Sequence, residues 1–400
     1  YVVANSGDIT VGENGIGIFS KGKNVTLTDG IITAADSTSA AQAAVGIYLS
    51  GSGQTLTNRG TKFDLGKNTF GIINTNATGG NTIYSTTSSV TLAKEGATYI
   101  YSTDTNGTVN NATKLTASAS KNTGIYSAGT VKNAGDIDFN SATGSIGIQS
   151  ISNGTATNNA TITVGKSDKA NNLYSIGMSA GIKHVGATRG KVVNSATGRI
   201  KVNNSNSLGM YSTEIGSTGE NLGTIETSTS GTTAMFADNS SIMTNKNKIK
   251  VNSTMANVMS YNFGMSSSGT NSEVINDTTG LISLTGTYGI GMYSNVSKAT
   301  NDGTITSTSA NNVIGMHSAT NTVGVASALK NTGRINLTGS DNVGISLTGA
   351  GTTGTTTGSS KVTLSGDNST GISVAKGSAL TADAGTTTVK GNGAYGIVVD

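Results

Sequence analysis

Hydrophobic and polar residues alternate along this chain in short bursts with a period of two, broken by Gly, Asn and Ser. One phrase recurs: an apolar residue, Gly, then Ile or Met, often an aromatic, often Ser. It stands at Gly17-Ile18-Phe19-Ser20, Gly46-Ile47-Tyr48, Gly124-Ile125-Tyr126-Ser127, Gly209-Met210-Tyr211-Ser212 and Gly291-Met292-Tyr293-Ser294, with further copies between and after. Ile100-Tyr101-Ser102 and Met235-Phe236 are degenerate copies. From Gly17 to Gly396 the anchors advance 379 residues in 14 steps, a mean of about 27. A second phrase, Asn-x-Gly-x-Ile-x-Val/Leu/Phe, runs ahead of many anchors, as in Asn133 to Phe139 and Asn331 to Leu337. A further apolar residue often precedes its Asn, for example Val131, Val193, Ile275 and Leu329.

Period-two segments rich in Thr, Ile and Val predict strands, because alternate side chains of an extended chain face opposite sides. Each repeat therefore predicts two strands and a shorter third one, separated by turns. Strict alternation would put Ile16 with Ile18, Leu208 with Met210, Phe263 with Met265 and Ile290 with Met292 on one side. No single coil of 27 residues can bury such a stripe, whereas stacked coils make continuous inner columns. The expected fold is all-β: a right-handed parallel β-helix (β-solenoid) of about 15 coils, roughly 27 residues and three short strands each. It runs over 1–400 as a single solenoid segment. A helical repeat would need apolar spacings of three and four, and a propeller blade needs roughly 40 residues. The anchor Gly faces outward or marks a bend. The Asn of the second phrase takes a left-handed turn or joins a stacked amide ladder. The long intervals 148–177 and 177–209 should carry loops.

Composition supports strands over disorder. Glycine numbers 56 of 400, charged residues make up 12%, and Pro, Cys and Trp are absent. Proline would remove ladder donors, and disordered chains usually carry it with high net charge. A formal charge of +4 without a basic block implies neither nucleic acid nor an anionic membrane surface as partner. No apolar run reaches the roughly 20 residues of a membrane helix, so no membrane insertion is expected of this segment. Without Cys there is no disulfide framework and no thiolate metal site. The opening at Tyr1 and the close at Asp400 in mid-pattern read as a piece of something longer.

Low-complexity sequence also produces motif matches by chance. Gly177-Met178-Ser179-Ala180-Gly181 fits the nucleophile elbow and His184 lies near it, but that motif needs a strand–turn–helix setting and an acid partner. Ser20 to Lys23, and Gly349 to Gly354, fit other enzyme motifs without the helix or partners those require. The carboxylates, Asp136 and Asp138 among them, are scattered rather than gathered for calcium or acid–base work. No catalytic residue, cofactor or metal site is expected. Met178, Met210, Met235, Met265, Met292 and Met316 share one column and read as core filling.

The residue after each Ile/Met anchor should point outward, and there stand Phe19, Tyr48, Tyr101, Tyr126, Tyr211, Phe236 and Tyr293. Rings in one column stabilise a sheet by stacking along the ladder. They also present flat apolar surface with a polar tip, which suits a contact with glycan or protein. These seven residues are the candidate binding site.

The tandem NxGxIxV … GIYS phrasing, with 21 Lys to 4 Arg and neither Pro nor Cys, resembles the passenger repeats of large fusobacterial type V autotransporter adhesins, the RadD-like group. The resemblance implies display at the cell outer membrane on a C-terminal β-barrel lying outside this segment. It implies attachment to other bacterial cells, host-cell surface glycans or receptors, and not catalysis. Two alternatives stay open: a carbohydrate-active β-helix enzyme, such as a polysaccharide lyase or hydrolase, and a ligand-free mechanical spacer.

Overall fold

The computed structural model describes residues 2–183, 188–253, 261–320, 325–383 and 385–400. It is a parallel β-solenoid of about fifteen coils with three strands per coil, as the periodicity predicts. Helix among the described residues amounts to two short 3₁₀ turns, Ala40–Gln42 and Lys169–Asn171. Strands of one kind pair only with the same kind one coil away, always parallel, as Thr108–Asn111 does with Thr130–Asn133. Call the three resulting sheets A (ending in the recurring Asn), B (the Ile-x-Val strand) and C (the Gly-Ile/Met strand). The chain divides into two compact units, Tyr1–Asn203 and Asn204–Asp400, and both obey these rules internally.

One coil of each unit shows how the pattern fills the interior. In the first unit the coil of Thr130–Asn133, Ile137–Asp138 and Ile146–Ser150 turns Val131, Asn133, Ile137, Phe139, Ile148 and Ser150 inward, all essentially inaccessible. In the second, Glu273–Asn276, Leu281–Leu284 and Gly289–Asn295 turn in Val274, Asn276, Ile282, Leu284, Met292 and Ser294. Each of these two coils thus buries four apolar side chains, worth roughly 1.5–3 kcal/mol apiece at most. Stacking supplies the walls that a lone coil lacks. Met210, Met235, Met265, Met292 and Met316 occupy one position in five successive coils of the second unit, all fully buried. Core filling is therefore what the methionine column does.

Strict alternation fails in sheet C. The ladder pairs Thr98 with Thr123 and Ile100 with Ile125 but skips the residue between. Gly124 and Ile125 are both buried, and the residue ahead of the Gly turns outward. Leu208 and Phe263, expected beside Met210 and Met265, are half-buried on the outer face instead, and Ile16 is exposed. Ile290 does stay covered. The anchor Gly is the cause: it marks a bend. A Cβ on Gly291 would lie 2.5 Å from the carbonyl oxygen of Gly315 and 2.8 Å from an Ile305 methyl. Similarly, the inward apolar residue of sheet A is two before its Asn. That residue is Val131, Val192, Val274 or Leu329; Val193, next to its Asn, is buried as well, and Ile275 is half-buried. Sheet A strands are four residues long in most coils, no shorter than those of sheet B.

The corners separate two roles for Asn. Left-handed residues precede sheet C, at Asn14, Asn68, Lys121, Asn206, Asn312, Asp341 and Asn368, with φ between 53° and 62°. The Asn that ends sheet A is in no such conformation and forms the amide ladder. Asn111 Nδ2 donates to Asn133 Oδ1 (2.8 Å), Asn133 to Asn158 (2.9 Å) and Asn158 to Asn194 (3.0 Å). The second unit repeats this from Asn221 through Asn245, Asn276 and Asn301 to Asn331, at 2.7–2.8 Å. The long intervals hold the Lys169–Asn171 turn and the connection over 181–190, part of which lies outside the described residues.

Candidate functional site: the ringed outer face of sheet C

Because the bend at Gly turns its predecessor outward, the outer face of sheet C carries two columns, not one. The column after the Ile/Met anchor runs Phe19, Tyr48, Ile73, Tyr101, Tyr126, Gln149, Ser179 in the first unit. In the second it runs Tyr211, Phe236, Ser266, Tyr293, His317, Ser346 and Ser373. All seven predicted ring residues stand in this register, but the column is interrupted. The rings form pairs: Phe19–Tyr48 with centroids 5.6 Å apart, Tyr101–Tyr126 at 4.7 Å and nearly parallel, Tyr211–Phe236 at 5.7 Å. Tyr293 stacks instead on His317 at 5.5 Å, so the histidine takes an aromatic place.

The neighbouring column adds rings that strict alternation hid. Phe70 meets Tyr101 edge-on at 5.4 Å, and Phe263 meets Tyr293 at 5.4 Å. Tyr261 and Tyr288 form one more edge contact at 6.3 Å. Only the doubling of buried positions at the Gly reveals these partners, and a two-residue period conceals it. The outer faces of the other sheets differ in kind. Sheet A of the first unit shows Thr55, Thr82, Thr108, Thr130 and Thr155 in register, and sheet B shows pairs such as Lys114 with Thr116 or Lys248 with Lys250.

The rings are half-buried, apart from Phe19, which is 58% exposed. Desolvation is the first cause of the raised pKa at Tyr126, pushed up to about 12, with the neighbouring Tyr101 phenol adding to it. Burial likewise pushes up Tyr211 and Tyr293 and holds His317 below its usual value, so the imidazole is neutral near pH 7. The hydroxyls are partly engaged: Tyr48 with Thr75 Oγ1 at 2.7 Å, Tyr211 donating to Asp238 at 3.0 Å. Asn239 Nδ2 bonds Glu214 Oε1 beside that pair. The stacked pair Tyr211–Phe236 thus sits beside the Asp238 carboxylate and the Asn239 amide.

Other motif residues behave as repeat grammar. Ser179 is buried within the strand Ile176–Ala180 and no helix follows it among the described residues, which do not include His184. Gly349 to Gly354 is a turn entering the strand Thr352–Thr356. Asp136 and Asp138 are exposed, the former accepting from the Thr161 amide at 2.9 Å. Among the described residues no three His, Asp or Glu side chains gather as metal ligands. No helix there is long and apolar enough to cross a membrane.

Fold and surface together define a three-sided parallel β-solenoid with one aromatic outer face. Residues 140–248, just over a quarter of the chain, match the family described as the third pectate lyase-like domain of BigA. No curated protein and no solved structure matches the chain.

Proposed function

We propose that this chain is part of the passenger of a bacterial cell-surface adhesin and works by contact. Its ligands are surface glycans or receptors of host cells or of other bacteria. The observation carrying this reading is the in-register set of half-buried ring pairs on the outer face of sheet C. Such rings offer stiff apolar area at small entropic cost. Support comes from the likeness of residues 140–248 to a BigA domain, an adhesin-type family, and from the autotransporter-like repeat phrasing. Anchoring at the outer membrane belongs to the same proposal, as does the lack of catalysis. A pectate lyase-like domain name describes a fold and not an activity.

The test replaces Tyr126 and Tyr211 by Ser together. Binding to partner cells and to a glycan array should fall by about tenfold, the loss of one or two stacking contacts of roughly 0.5–1.5 kcal/mol each. Thermal unfolding is measured in parallel. Lowered melting with intact binding would make the rings a structural ladder only, and intact binding with intact melting would remove both roles. Turnover on a polysaccharide panel would favour an enzyme instead.

A further inference from the structure

A second, chemically different surface lies on the outer face of sheet A in the second unit. Its two outward columns are Glu273, Lys298, Ala328, Thr353 and Ile275, Thr300, Lys330, Thr355, in register. Ala328 brings only a methyl between longer neighbours, so the sheet is hollowed there to a volume of about 390 Å³. A smaller hollow of about 160 Å³ adjoins it and shares Lys298 and Ala328. The first volume lies within the roughly 300–1,000 Å³ of small-ligand sites.

The charges in this hollow are uneven. Glu273 Oε1 accepts a hydrogen bond from Thr300 at 3.0 Å. Lys298 and Lys330 are exposed, and among the described residues neither forms an ion pair. They stand on adjacent strands offset by two residues. Such diagonal neighbours lie about 7–8 Å apart, so two flexible ammonium stems can converge on one small anion. The Glu273 carboxylate beside them disfavours a multiply charged group such as phosphate and tolerates a single carboxylate. Thr353, Thr355 and Glu273 supply acceptors and hydroxyl donors around the same space.

We propose that this hollow binds a carboxylate-bearing sugar, its carboxylate held between Lys298 and Lys330 and its hydroxyls facing the threonines and Glu273. The hollow and the rings lie on different sheets, so the two readings fail separately. The test is calorimetric titration of the whole chain with trigalacturonate and with sialyllactose, each beside its methyl ester. At least one acid should bind, and its ester should bind about tenfold more weakly, with affinity falling as salt is raised. K298Q/K330Q should weaken that binding about tenfold without changing the melting temperature, because both side chains are exposed. A328W should abolish it by filling the hollow. Y126S/Y211S should leave it unchanged. Absence of binding by both acids, equal binding of acid and ester, full affinity in K298Q/K330Q or A328W, or loss in Y126S/Y211S would each overturn the proposal.

Discussion

At the scale of single residues the solenoid depends on polar side chains inside as much as on apolar ones. Every Asn of the ladder is buried, so each amide must find its partners inside, in the next coil and at the carbonyls of its own corner. Four coils carry another residue in the ladder position, Leu27, Ser85, Thr356 and Ala382, and at Ser85 the break is compensated. Ser85 stands where the ladder would have Asn, and Tyr99 stands where sheet C would have Gly. The Tyr99 ring crosses the core, packs edge-on against Phe63, and brings its hydroxyl to 2.7 Å from Ser85 Oγ. Burial pushes the Tyr99 phenol above its usual pKa. The next Asn in line shows the consequence: Asn111 donates onward to Asn133, but its Oδ1 is buried without a partner. Within the regular ladder, Asn245 receives from Asn221 and donates to Asn276 and to the Asn247 carbonyl. Asn245→Leu should therefore cost about 2–4 kcal/mol, since it leaves buried groups unpaired on both sides. The outward neighbour change Thr244→Ala should stay within about 0.5 kcal/mol. Urea midpoints of the two variants decide, and equal midpoints would mean the ladder is ornamental.

At the scale of strands, sheets A and B were legible from the chain, and sheet C only in part. The Ile-x-Val and Gly-Ile/Met phrases repeat because identical positions stack, and stacking makes one residue's environment its neighbour's environment. The period, the strand number and the outward place of Tyr126 and Tyr211 follow from that. The bend at the anchor Gly does not follow, because alternation assumes an unbroken pleat. Alternation therefore places Phe263 on the interior side of sheet C, and the contacts of Phe70 with Tyr101 and of Phe263 with Tyr293 emerge only from the bend. The hollow at Ala328 was equally hidden, since it depends on which outward side chains become neighbours across coils. The ring column itself makes a pH prediction. Burial raises the Tyr126 pKa from 10.0 to about 12, and Tyr211 and Tyr293 move the same way. The folded chain thus binds these protons more tightly than the unfolded one. The Tyr126 contribution is complete below pH 10 and is lost as pH rises through about 12, and those of Tyr211 and Tyr293 decline in the same direction. Melting temperature should drop across that window in step with tyrosinate absorbance, and less steeply in Tyr126→Ser. Melting that stays level through the window would show the rings to be solvated.

For the whole molecule the repeated register carries a prediction about adhesion as well as folding. Thr123 and Ile146 are ladder partners, so residues 124–146 form one complete coil within the first unit. Their removal joins Thr123 to Gly147 and should bring Asn111 into ladder contact with Asn158, which accepts from Asn133 in the intact chain. Nearest-neighbour energetics then predict a folded protein with one interface fewer and nearly unchanged circular dichroism per residue. A deletion of 134–158 instead joins Asn133 to Asn159, also preserves phase because Asn133 and Asn158 are ladder partners, keeps Tyr126, and serves as the control. A deletion of about ten residues instead turns core columns outward and should unfold. The coil removed from 124–146 takes Tyr126 with it and leaves Tyr101 facing Gln149. If ring pairs make the contact, cell binding should weaken as it does for Tyr126→Ser alone. A spacer would bind through neither and show no change in attachment. Unchanged attachment in both the deletion and the substitution would therefore count against the rings of the first unit and leave the stacked coils as scaffold.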